Sequence, residues 1–122
     1  MRNRENQRGT DMFGFSRKPA HRDVSPVELQ ALLREGTAIV VDVREPDEFS
    51  AGHIPGARNL PLSRFNPAAL PDAGGKTLIL SCAGGKRSAM ALDRCAASKS
   101  SADSHLAGGF GAWTSAGLPV EK

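Results

Sequence analysis

Two short runs of the chain are built around continuous apolar stretches: Ala38–Arg44 (AIVVDVR), apolar through Val41, and Lys76–Ser81 (KTLILS), apolar from Leu78 to Leu80. Neither alternates polar with apolar positions, and both are rich in aliphatic and β-branched residues. That pattern predicts strands buried on both faces of a parallel sheet. Around them lie segments of helical period. Ser25-Pro26-Val27-Glu28 reads as a helix start, with Ser25 as N-cap, Pro26 in the first turn and Glu28 reaching back. Leu29, Leu32 and Leu33 continue the helix, and Gly36 ends it. A second helix is predicted from Ser88 to about Ala97, with Ala89, Leu92 and Cys95 or Ala96 on one face. Weaker signals fill the gaps. Glu45–Phe49 is a turn leading into a short helix, Ala57–Asn59 a brief strand, residues 62–70 a helical turn, and Asp72–Gly75 a turn. His105–Leu106 is a weak strand, and Phe110–Ala116 a last helix before Gly117 and Pro119. Alternating strands and helices predict an α/β fold, a mostly parallel sheet covered on both faces.

Length changes this picture little: 122 residues suffice for one core and not for two. Charge divides the chain. Residues 1–22 hold six basic and two acidic side chains, a net +4, whereas the remainder holds ten basic and eleven acidic, a net −1. The basicity therefore belongs to a flexible N-terminal tail, residues 1–22, and the domain proper is expected over 23–122. A near-neutral body argues against nucleic-acid binding. The tail's apolar island, Met12–Phe15, is a candidate contact for a partner. No run approaches the roughly 20 apolar residues that cross a bilayer, and no secretory leader is evident. A cytoplasmic location without membrane attachment is the expectation. Two cysteines, Cys82 and Cys95, do not make a disulfide scaffold, and the histidines (His21, His53, His105) show no zinc-site spacing.

Cys82 is the chemical focus. It follows a predicted buried strand directly, and ligands of parallel α/β sheets bind beyond the carboxyl ends of the strands. Ala83, Gly84, Gly85, Lys86, Arg87 and Ser88 come next. The glycines permit a tight turn whose backbone N–H groups converge on one point. The start of the helix adds partial positive charge, and Lys86 and Arg87 add whole charges. Such surroundings favour an anion on or beside the sulfur, so the thiol should ionise readily and act as a nucleophile. A merely buried cysteine needs none of these neighbours. Cysteine phosphatases wrap phosphate in a Cys-x5-Arg loop. Here the pattern is Cys-x4-Arg, Cys82 to Arg87, and the smaller cradle suits a smaller group such as one sulfur atom.

Three segments in order, VDVREPDEFSAGHIPGARNLP, SCAGGKRS and GGFGAWTSAGLPV, resemble the single-domain rhodanese-like sulfurtransferases. The resemblance spans about residues 25–120. It implies a three-layer fold with a central five-stranded parallel sheet and helices on both faces. It also implies Cys82 as the sulfur-accepting nucleophile, with Ala83 to Arg87 supplying N–H groups to the bound species. The reaction implied is double displacement. Sulfur comes from thiosulfate or a small-molecule or protein persulfide and goes to cyanide or a thiol, with no metal and no organic cofactor. The family's pattern has an apolar strand before the Gly-Gly pair. This chain has SKSSADSHLAGG instead, which weakens the expectation of a last strand.

Other residues carry double readings. Arg87 either orients a dianionic donor or pairs with Asp42 or Glu48. Asp42 and Arg44 are supporting residues near the strand ends, Asp42 satisfying loop N–H groups and Arg44 pairing with an acid. His53 is read as a structural hydrogen-bonding histidine, Trp113 as core, and Cys95 as buried, with a resolving thiol as the sharper alternative. Three functions compete: a sulfurtransferase, a sulfur-carrier or docking module loaded by a partner protein, and a small cysteine phosphatase or arsenate reductase. A monomer is the default at this size.

Overall fold

The structure is a computed structural model that describes residues 21–122. The tail assigned to residues 1–22 therefore lies outside it, including Met12–Phe15, except for its last two positions. Those two are already part of the domain: Arg22 opens a strand, and His21 bonds Asp93 at 3.0 Å.

Five strands form one parallel sheet: β1 (Arg22–Val24), β2 (Ala38–Asp42), β3 (Arg58–Asn59), β4 (Thr77–Ser81) and β5 (Ser104–Leu106), in the order β1-β5-β4-β2-β3. Four helices accompany them: α1 (Pro26–Glu35), α2 (Pro46–Ala51), α3 (Lys86–Ala97) and α4 (Gly109–Ser115). Short 3-10 turns occupy Leu62–Arg64 and Pro67–Ala69. The sheet is the five-stranded parallel one that the resemblance implies.

Register explains the layering. Side chains alternate faces along a strand, so Val40 and Ile79 join one core and Val41 and Leu80 the other. The first core takes Leu29 from α1, Trp113 from α4, and Ile54. The second takes Ala91, Leu92 and Cys95 from α3, and Phe65 from the 3-10 region. Helix α1 begins as its sequence dictates. Ser25 Oγ accepts from the Glu28 N–H at 3.1 Å, the Glu28 carboxylate accepts from the Ser25 N–H at 2.9 Å, and Gly36 ends the helix in the left-handed region. Trp113 is buried core, and its indole N–H donates to the Pro119 carbonyl at 2.7 Å.

Two elements differ from the sequence reading. Helix α3 starts at Lys86, not near Ser88, because Gly85 at φ +104° already turns the chain into it. Lys86, Arg87 and Ser88 are thus the helix's first turn rather than loop. Strand β1 was not anticipated: three residues, two of them charged, carry no strand pattern. It forms because β5 offers an edge, with Asp23 opposite His105 and Val24 opposite Leu106. Strand β5 does form despite its polar sequence, and all three of its residues are buried. Ser104 Oγ bonds Asp103 at 3.0 Å and both His105 ring nitrogens have partners, so polar side chains are accommodated where apolar ones were expected.

Candidate active site

Cys82 is the first residue beyond β4, at the carboxyl edge of the sheet, and is 1% exposed, whereas the next two residues are exposed. The loop is only Cys82 to Gly85. Its brevity folds the backbone over the sulfur: the Gly85 N–H donates to Cys82 Sγ at 3.0 Å. The Ser88 hydroxyl lies 3.6 Å from the sulfur, on the first turn of α3. Burial on its own would raise the thiol's pKa. The N–H groups of Ser88, Gly85 and Gly84, with the Ser88 hydroxyl, outweigh it and bring the pKa below the ordinary cysteine value. Backbone dipoles at a helix start thus favour the thiolate over the thiol.

A second clamp holds the loop from behind. The N–H groups of Phe110 and Gly111, at the start of α4, donate to the carbonyls of Cys82 and Ala83 at 2.7 and 3.0 Å. The approach is so close that only glycine fits at 109. Its φ is +60°, and a side-chain carbon there would lie 2.8 Å from the Ala83 carbonyl. The segment GGFGAW is therefore as much a part of the site as the loop itself.

The sequence-predicted residues divide as follows. Ala83, Gly84 and Gly85 form the cradle. Lys86 is exposed on the helix's first turn. Arg87 has its guanidinium in a two-pronged pair with Glu48, so of its two readings the geometry shows the ion pair. Asp42 and Arg44 are buried and joined to each other. Asp42 accepts from the Arg44 N–H at 2.9 Å and from its guanidinium at 2.8–3.1 Å. Arg44 also donates to the Gly52 carbonyl at 2.7 Å and lies 4.3 Å over the Phe110 ring. This pair locks the β2–α2 turn against α4 and so fixes the rim of the site. His53 is the structural histidine expected, stacked on Phe49 with Nδ1 bonded to the Phe49 carbonyl at 2.8 Å. Cys95 is buried, and burial, partly offset by the Ser100 side chain, pushes its thiol pKa up. It lies seven residues along α3 from Ser88, a rise of about 10 Å. Cys82 and Cys95 are both free thiols and belong to the same buried cluster.

Sequence reasoning missed His105 and Asp23. His105 Nδ1 lies 2.8 Å from Ser88 Oγ, and Nε2 lies 2.9 Å from Asp23 Oδ1. Only strand register joins them: Asp23 on β1 is 82 residues from His105 and directly opposite it. Of the described residues, no helix is long and apolar enough to cross a membrane.

The rhodanese-like domain family model matches residues 25–116. A Synechocystis protein, uncharacterized protein slr1261, is 46% identical over 99 residues, covering 81% of this chain and 55% of that protein. The chain thus spans just over half that relative's length. The thiosulfate sulfurtransferase GlpE of Ectopseudomonas mendocina is 40% identical over 93 residues, covering 74% of this chain and 82% of that enzyme. Among solved structures, a rhodanese-related protein from Thermoplasma volcanium superposes with a TM-score of 0.71 at 29% identity, covering 83% of this chain and 98% of that one. The family match takes in α1 through α4 and so contains both the cradle and its clamp. The chain belongs to the rhodanese-like domain family.

Proposed function

We propose that this domain is a sulfurtransferase in which Cys82 carries a single sulfur atom between a donor and an acceptor. The observation that carries the reading is the convergence of backbone N–H groups on Cys82 Sγ within a four-residue loop, with Gly85 N at 3.0 Å. A nest of that size matches the terminal sulfur of a persulfide and is short for a phosphate. Arg87, the cation that a phosphate loop would direct inward, is held by Glu48. The likeness to a thiosulfate sulfurtransferase supports the same chemistry.

The Cys82 thiolate attacks the outer sulfur of thiosulfate. A sulfur–sulfur bond forms to Cys82, the bond to the sulfite group breaks, and sulfite leaves with the electron pair. The negative charge now resides on the terminal sulfur, where the loop N–H groups and the α3 start stabilise it. Cyanide or a thiolate then attacks that sulfur and restores the Cys82 thiolate. Each step is a displacement at sulfur, and charge balances without an oxidant.

Intact mass after incubation with thiosulfate tests this. The protein should gain one sulfur atom, Cys82→Ser should gain none, and cyanide should remove the sulfur as thiocyanate. An unchanged mass with a freely titratable Cys82 thiol would overturn the reading.

A further inference from the structure

The Ser88 hydroxyl has one hydrogen and three neighbours: Cys82 Sγ at 3.6 Å, the Gly85 carbonyl at 3.0 Å and His105 Nδ1 at 2.8 Å. His105 is buried, between Asp23 on one side and Ser88 on the other. Leu80, His105 and Asp23 are register partners across β4, β5 and β1, so their side chains share the sheet face that α3 covers. This row ends at the first turn of the helix that cradles the sulfur.

The arrangement constrains where protons sit. The Asp23 carboxylate can only accept, so Nε2 of His105 carries a hydrogen in either charge state. With His105 neutral, Nδ1 is a bare acceptor. It takes the Ser88 hydrogen, and Ser88 turns its lone pairs to the sulfur, where they can accept an S–H. With His105 charged, Nδ1–H donates to Ser88 Oγ, and the serine hydrogen is free to point at the sulfur. The two states are matched to a thiol and a thiolate respectively.

The geometry points to Asp23, His105 and Ser88 as a hydrogen-bonded relay that takes the Cys82 thiol proton and holds it away from the sulfur, with His105 as its positioning residue. The bookkeeping closes. The S–H bond breaks and Ser88 Oγ gains that hydrogen. The original serine O–H breaks and its hydrogen forms the Nδ1–H bond. The products are a thiolate accepting from serine and an imidazolium braced by Asp23. On attack the charge moves to the terminal sulfur while the imidazolium stays in place, so no proton need cross the site during transfer.

The remaining charged neighbours are accounted for. On the far side of His105 is the His21 ring, edge-on at 5.8 Å, itself held by Asp93 of α3 at 3.0 Å. On the sulfur's side, Arg87, paired with Glu48, feels the charges of Cys82 and Asp42. Among these, His105 and Asp23 alone reach the sulfur through a continuous hydrogen-bonded path, by way of Ser88.

This inference rests on the reading of Cys82 as a nucleophile, yet its test uses no sulfur donor. The measurement is the pH profile of Cys82 alkylation by iodoacetamide, followed by peptide mapping so that Cys95 is scored separately, with thiolate ultraviolet absorbance beside it. His105→Asn keeps a hydrogen-bonding group toward Ser88 but cannot ionise. It should move the profile up by about one pH unit and slow alkylation at mildly acid pH about tenfold. Asp23→Asn should move it the same way by less. Ser88→Ala should do so at least as much as His105→Asn, and the Ser88→Ala/His105→Asn double variant should go no further than Ser88→Ala. Profiles of His105→Asn and Asp23→Asn that superpose on the wild type, or a double variant whose shift is the full sum, would overturn the relay. If His105→Asn fails to fold, Asp23→Asn decides alone, since the Asp23 side chain is 70% exposed on an edge strand. A protein that shows these shifts but takes no sulfur from thiosulfate would keep the relay and lose the sulfurtransferase reading; sulfur loading with unshifted profiles would do the reverse.

Discussion

The guanidinium of Arg87 grips Glu48 through bonds of 2.7 and 3.0 Å, tying the first turn of α3 to α2 across the rim of the Cys82 site. The cation thereby raises the potential around the sulfur while its hydrogen-bonding edge stays occupied by protein. Its contribution is to the shape and field of the site, and both partners are about one-third exposed, so its energy is screened.

The first prediction concerns that pair. The Arg87 guanidinium holds the Glu48 carboxyl at about 2, below its ordinary 4.5. The folded state thus binds this proton less well than the unfolded chain, and the stabilisation is complete above pH 4.5. It declines as pH falls through about 2. Glu48→Gln should lower stability by about 1 kcal/mol at neutral pH, and the gap should close on acidification through that window. Urea denaturation at stepped pH checks it; a gap that persists unchanged into strong acid counts against the pair.

The two cysteines should differ in reactivity. Backbone N–H groups overcome burial to lower the Cys82 pKa, whereas burial raises that of Cys95. A small alkylating reagent at neutral pH should modify Cys82 selectively, and Cys95 only after unfolding. Mass spectrometry of peptides after timed alkylation reads this out. Equal rates at both sites would contradict the cradle.

Gly109→Ala should damage structure and site together. The new carbon would press into the Cys82–Ala83 backbone, at a φ that side chains avoid. A cost of about 2–4 kcal/mol follows. Because the clamp also aligns the loop, Cys82 alkylation should slow in whatever fraction remains folded. Thermal melting with the alkylation assay tests both; a variant with native melting and native reactivity would show the contact to be slack.

Arg44→Leu should leave the Asp42 carboxylate buried without its cation, costing about 3–5 kcal/mol. Adding Asp42→Asn should recover part of the loss, since the uncompensated charge is then gone. Denaturant titration of the single and double variants measures this. Additive losses would mean that the two side chains act independently.

Legibility of this fold in the sequence followed the physics of each segment. Strands β2 and β4 were readable because both of their faces are buried, which demands continuous apolar runs. Helix α1 was readable because caps are local chemistry. Strand β1 was not, since it joins β5 through backbone pairing and the Asp23–His105 side-chain bond, and neither leaves an apolar pattern in the sequence. Strand β5 was legible only weakly because its burial is carried by Ser104 and His105. At the site, Cys82 and its glycines were plain because the nest is built from contiguous residues. His105, which bonds Ser88, and Asp23, which bonds His105, were hidden because they come from two other strands. The start of α3 was placed two residues late, as Lys86 and Arg87 look like loop when their charges are read without Gly85's left-handed turn.

The pairing of β1 with β5 also sets a timetable. Parallel neighbours 82 residues apart cannot meet until both have been made, and closing so long a loop is slow relative to local structure. The cradle's clamp comes later still in the chain, from Phe110 and Gly111. During synthesis Cys82 and its loop therefore emerge before the α4 segment that clamps them and before the β5 residue His105 that bonds Ser88. A chain cut short before Phe110 would hold the Cys82 loop without the two hydrogen bonds that fix it from behind.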